Sequence, residues 1–168
     1  MRILGIDPGL GITGYGLIEL DNRCTRLLEA GVVRTNPNSK IEKRLLEIYK
    51  KIINLINDTK PDVAVLEELY SHYKHPRTSI LMGHARGVIS LAVEEKGVEL
   101  VNYPSTKVKK AITGRGHASK SQIQRTVVNV LNINRIPEPA DVTDALALAL
   151  THANVYMHNQ STVKARAA

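Results

Sequence analysis

Apolar and polar positions recur along this chain with two different periods, and the switches between them mark its elements. Residues 2–6, RILGI, form a short apolar run ending in Asp-Pro-Gly, the pattern of a buried strand closed by a turn. Residues 13–20 (TGYGLIEL) and 24–35 (CTRLLEAGVVRT) are strand-like, with Asp21-Asn22 between them as a hairpin turn. From Ile41 the period lengthens. Ile41, Leu45, Ile48, Ile52, Leu55 and Ile56 fall on one face of a helix that Pro61-Asp62 stops. The continuous apolar run VAVL, 63–66, then suits a central strand covered on both faces.

A polar loop, 70–77, leads to a helix over 78–96 with Leu81, Ala85, Val88 and Ala92 facing inward. Residues 98–103 return to strand, and a short helix over 105–112 enters the flexible, Gly-containing stretch 113–117. A helix over 119–131 turns Ile123, Val127 and Val130 to the core, and a last helix runs from Asp141 to about Met157. The remainder, 158–168, is small, polar and basic, and is expected to be a disordered tail. No repeat or long linker interrupts 1–157, which therefore reads as one domain, a mixed α/β sheet of five strands flanked by helices.

Composition narrows the class. With 43% hydrophobic and 23% charged residues, the 168-residue chain has the make-up of a globular protein with a real core. No stretch approaches the ~20 apolar residues of a membrane span, and MRILGIDPG turns polar too early for a secretory signal. The single cysteine, Cys24, forms no disulfide or zinc pattern and is expected half-buried in a strand. These features predict a cytoplasmic protein.

The net charge of +7 is unevenly spread. Residues 1–100 hold 14 Lys or Arg against 13 Asp or Glu, whereas 101–168 hold 9 against 3. The three acids of the basic segment are Glu138, Asp141 and Asp144. A positive field that holds phosphate, with a local acidic knot for a metal, is what a nuclease requires. A merely soluble basic surface would have the same net charge.

Gly9-Leu10-Gly11-Ile12-Thr13-Gly14 matches G-x-G-x-x-G, but strand rather than helix follows it, which excludes the dinucleotide-binding reading. An actin-like or Hsp70-like phosphate loop would need a second lobe that 168 residues do not provide. What remains is Asp7 at a strand end beside a glycine hairpin, the glycines allowing tight turning and close approach of a phosphate backbone. Glu67 or Glu68 ends the VAVL strand in a similar position. Asp141 and Asp144, spaced i, i+3, open a helix whose continuation, ALALALTHANV, should be buried. Two acids there are costly unless neutralised, and a metal would do that. Taken singly, each acid is also explicable as a turn residue, a strand end or a helix cap. His152 lies on the same side of that helix and reads as a packed or capping histidine rather than a ligand.

With these acids in place, the chain resembles the RuvC family of Holliday junction resolvases. The matching stretches are GIDPGLGITGYG (5–16), VAVLEELY (63–70), GHARGV (83–88), YPSTKVKKAITGRGHASKSQIQ (103–124) and ADVTDALALALTH (140–152). The resemblance implies an RNase H-like (retroviral-integrase-like) fold and a homodimer. It also implies Mg²⁺-dependent hydrolysis, with Mn²⁺ able to substitute and two ions per site, of like-polarity strands of a four-way DNA junction. By the same resemblance Asp7, Glu67, Asp141 and Asp144 are the catalytic, metal-binding carboxylates, Glu67 being chosen over Glu68 by the family register. Tyr70 stands where the family has an aromatic that could stack on an unpaired base, and Tyr73, Lys74 and Arg77 add stacking and charge. Lys109 and Lys120 match basic positions near the DNA backbone, with Arg115 between them. The small residues of GHARGV read as packing. The RuvA–RuvB branch-migration complex is a partner implied by the family.

The expected chemistry is paired nicking in recombination and repair that leaves 5′-phosphate and 3′-hydroxyl ends. Two other readings stand beside it: a related nuclease acting on structured RNA, as in the YqgF group, and a non-catalytic nucleic-acid-binding module.

Overall fold

The computed structural model describes residues 1–68 and 76–167. Strands β1 (Arg2–Asp7), β2 (Ile12–Asp21), β3 (Cys24–Arg34), β4 (Val63–Glu67) and β5 (Glu99–Tyr103) form one sheet in the order β3-β2-β1-β4-β5. The first three pair antiparallel, and β1, β4 and β5 run parallel. Two helices, α1 (Ile41–Thr59) and α2 (Pro76–Glu95), cover one face. The other carries α3 (Ser105–Thr113), α4 (Lys120–Val130) and α5 (Ala140–Ala167). This is the five-stranded mixed sheet flanked by helices that the periodicity predicts.

Because both faces are covered, the central strands are apolar throughout 3–6 and 63–66, and alternate side chains enter separate cores. Ile3, Val63 and Val65 pack with α5, while Leu4, Ile6, Ala64 and Leu66 pack with Ile48, Ile52, Ala85 and Ile89 of α1 and α2. The same alternation sends Asp7 and Glu67, at the carboxyl ends of neighbouring parallel strands, to the α5 face.

Several boundaries differ from the expectation. The β2–β3 turn is Asn22-Arg23, both with positive φ (45° and 72°), one residue beyond Asp21-Asn22. Cys24 is exposed rather than half-buried, because it opens the edge strand at the tip of that hairpin. In α2, which starts two residues early at Pro76, Ala85 and Ala92 are fully buried as expected, together with Ile89 and Val93, while Leu81 and Val88 pack partly buried beside them. Val130 is 51% exposed, since α4 buries Ile123 and Val127 and its last turn overhangs the core. Finally, α5 continues to Ala167, into the segment expected to be disordered.

Candidate active site

Three glycines decide where α5 lies. A Cβ on Gly5 would stand 2.0 Å from the carbonyl oxygen of Ala145, and on Gly14 it would stand 2.1 Å from that of Asp141. On Gly16 it would meet the Leu146 side chain at 2.4 Å. The close approach that glycine permits is therefore made here by a helix, where a phosphate backbone was expected. The bare surface of β1 and β2 lets α5 settle onto the sheet, and its first turn delivers Asp141 and Asp144 beside the end of β1.

The electrostatics report how close the four carboxylates are. Asp7 is pushed up from 3.8 to about 7, first by burial and then by the charges of Asp144, Asp141 and Glu67, with Lys120 opposing. Burial and Asp144 also raise the Glu67 carboxyl, while Lys109 and a hydrogen bond with the Ser105 side chain hold it down. Lys120 Nζ donates to Asp144 Oδ2 at 2.8 Å, and this bond raises the Lys120 ammonium above its usual range despite some burial. Glu67, Ser105, Lys109, Lys120 and Asp144 line a cleft of about 240 Å³. Among the described residues, no three acidic, histidine or cysteine side chains yet close on a single point. The acids face one another, and the Lys120 ammonium is the cation that touches one of them.

Glu68 is exposed and donates its backbone N–H to the Tyr103 carbonyl, so of the adjacent glutamates Glu67 faces the cleft. His152 shares a 3.0 Å hydrogen bond with the Tyr103 hydroxyl and is a packed histidine, lowered by burial. Arg115 lines a second cleft, of about 520 Å³, that shares Ala118 with the first. Arg77 is exposed in the first turn of α2 and has no ion pair among the described residues. Tyr70, Tyr73 and Lys74 lie outside the described residues.

Three residues at or near this site were not singled out from the sequence. Ser105 reaches Glu67, Arg125 joins Arg115 in the second cleft, and Arg86 donates to the Glu67 carbonyl oxygen. Only Arg86 carried a signal: it is the one charged residue in the small and apolar run of GHARGV, apart from a histidine.

Strand order, helix placement and an acidic cluster at one end of the sheet define a protein of RNase H-like fold. The family model for the crossover junction endodeoxyribonuclease RuvC matches residues 3–152, and the chain belongs to that family, whose nucleases are metal-dependent. A RuvC of Rhodopirellula baltica is 49% identical over 148 residues, 88% of this chain and 83% of that protein. One from Petrotoga mobilis is 43% identical over 154 residues, 92% of this chain and 94% of the relative. The structure of Thermus thermophilus RuvC in complex with Holliday junction substrate superposes with a TM-score of 0.88 at 31% identity. It covers 95% of this chain and 96% of that one.

The donor set fits the metal such a family needs. It is all carboxylate, the ligand type of hard divalent cations, and burial together with the charges of its other members holds a proton on Asp7 up to about 7.

Proposed function

We propose that this protein is a Holliday junction resolvase that makes paired, symmetrical nicks in like-polarity strands of a four-way DNA junction, leaving 5′-phosphate and 3′-hydroxyl ends. The observation that carries this reading is that Asp7 feels the charges of Asp144, Asp141 and Glu67, beside a cleft that Glu67 and Asp144 line together with Lys109, Lys120 and Ser105. Asp7, Glu67, Asp141 and Asp144 would hold Mg²⁺, two ions per site, with Mn²⁺ able to replace it. Bound there, such ions supply an activated water and neutralise charge on the leaving oxygen.

The chain's own groups do the rest. Asp7 gives up its proton as the site loads, and Ser105 steadies the Glu67 carboxylate. Lys109 and Lys120 hold the scissile phosphate, Lys120 exchanging Asp144 for it, while Arg115 and Arg77 extend the basic track. Tyr70, Tyr73 and Lys74 supply stacking and charge at the crossover. The substrate's symmetry calls for a C2 homodimer. The outward stripe Ile80, His84, Gly87 and Leu91 on α2 supports one, since Ile80 and Leu91 are 61% and 59% exposed. We place the enzyme in the bacterial cytoplasm, working with the RuvA–RuvB complex. No helix among the described residues is long and apolar enough to cross a membrane.

Incubation with a synthetic mobile four-way junction tests the reading. Symmetrical paired nicks that require Mg²⁺ are expected; a junction left intact with and without Mg²⁺ would overturn it.

A further inference from the structure

Arg86 projects from the middle of α2, on the far side of the sheet from the carboxylate cleft. Its Nε donates to the carbonyl oxygen of Glu67 at 3.2 Å, and a terminal guanidinium nitrogen donates to Oδ1 of Asn102 on β5. One planar group thus ties α2 to the ends of two parallel strands.

The place of that tie matters. Glu67 lies one residue past the last β1–β4 pair, Ile6↔Leu66, and β1 runs on into Pro8, which has no N–H to donate. Here the ladder is running out on the β1 side, although Glu67 still pairs with Tyr103 of β5, and the residue must aim a carboxylate at Asp144 and Asp7. On the β5 side the peptide after Glu67 is held by the Glu68 N–H, which donates to the Tyr103 carbonyl; a guanidinium donating to the Glu67 carbonyl is its second tie and constrains the direction of the Cα–Cβ bond from the α2 side. The charges bearing on the Glu67 carboxyl are those of Asp144 and Lys109, not of Arg86. Arg86 therefore works through the backbone rather than through its field.

We infer that Arg86 is a positioning residue, holding Glu67 in its metal-binding orientation from behind the sheet with Asn102 as its second anchor. This rests on the resolvase reading for what Glu67 does, though not for where it is held. Residues that orient metal ligands through hydrogen bonds typically change metal affinity or activity by ~10–100-fold when lost. The same scale is expected here, in metal response and cleavage together, with junction binding spared.

The test compares wild type, Arg86→Ala, Arg86→Lys, Asn102→Ala and the Arg86→Ala/Asn102→Ala double variant. Three readouts are junction affinity in EDTA, the Mn²⁺ concentration giving half of the thermal upshift, and single-turnover cleavage across a Mn²⁺ titration. Arg86→Ala is expected to keep junction affinity within about twofold and to need ~10-fold more Mn²⁺ in both metal assays. Arg86→Lys should recover part of the loss. Asn102→Ala should show a smaller effect that disappears in the Arg86→Ala background, because the two share one interaction. Wild-type Mn²⁺ response in Arg86→Ala would overturn the inference, as would a loss of junction affinity equal to the loss of cleavage. If wild type fails to cut junctions, the resolvase reading fails by itself, and the Mn²⁺ upshift still decides the role of Arg86.

Discussion

Replacing Asp7 by Asn should make the metal-free protein more stable at alkaline pH. The Asp7 carboxyl titrates near 3.8 when solvated and near 7 in the fold, because burial and three neighbouring acids oppose its ionised form. At ~1.4 kcal/mol for each tenfold change in proton affinity, ionising it in place costs about 4 kcal/mol. Some of that is relieved by water entering the cleft, so the figure is a ceiling. Its sign follows from proton binding. Between about pH 4 and 7 the folded chain holds a proton on Asp7 that the unfolded chain has released, so this group's contribution to stability falls as pH rises and levels off above 7. Asparagine never ionises, and its advantage should therefore grow from about 1.5 kcal/mol at pH 5 to about 4 kcal/mol at pH 8. For a chain of this size that is roughly 10 °C in Tm at most.

Thermal melts in EDTA at pH 5 and pH 8 measure the effect directly. Added Mg²⁺ should raise the Tm of wild type at pH 8 and leave the Asn variant unmoved, while junction cleavage by the variant is abolished. Since only the ionised carboxylate binds a cation, wild-type cleavage should rise with pH and flatten above about 7. An Asn variant no more stable than wild type at pH 8, or equally stabilised at both pH values, would refute the claim that these acids repel one another across the cleft.

Two further outcomes follow from the packing and from the ion pair. Gly5→Ala pushes a methyl into the Ala145 carbonyl at 2.0 Å, so α5 must lift from the sheet. A loss of about 3 kcal/mol by urea denaturation is expected, whereas Gly11→Ala, whose Cβ meets only Arg44 at 3.7 Å, should be nearly neutral. Lys120→Ala breaks a pair whose side chains are 60% and 30% exposed. It should change stability by less than ~1 kcal/mol, yet weaken junction binding and flatten its salt dependence by about one ion, read from affinities at several KCl concentrations.

Much of the fold is legible in the sequence because both faces of the sheet are covered. ILGI (3–6) and VAVL have no polar positions to blur them, and the Ile48-Ile52-Ile56 stripe of α1 has no competing period. Two helices, one on each face, were harder. Apolar and small residues run all round α2 and α5, so their patterns state that they are buried but not which side faces the sheet. Val130 shows the converse: it has the right spacing for the α4 stripe, but the stripe extends one turn further than the core beneath it. Asp7 and Glu67 were visible as acids ending buried strands. That their strands are neighbours depends on the β1–β4 pairing, a contact between positions some 60 residues apart that no local pattern encodes.

The glycines are where a correct local observation acquired the wrong partner. Gly14 does mark a place where something comes unusually near the backbone, and beside Asp-Pro-Gly in a basic protein a phosphate was the natural choice. The object that comes near is the first turn of α5. This connects two features that the sequence presents separately, the bare strand at 5–16 and the i, i+3 acids at 141–144. Without the glycines the helix could not reach the sheet, and Asp141 and Asp144 would not crowd Asp7. The crowding that makes the cluster unfavourable in the empty protein is thus produced by the close packing of α5 on Gly5, Gly14 and Gly16. Helix burial offsets the repulsion until a cation relieves it, so the site's readiness to bind metal and the seating of α5 are set by the same three missing side chains.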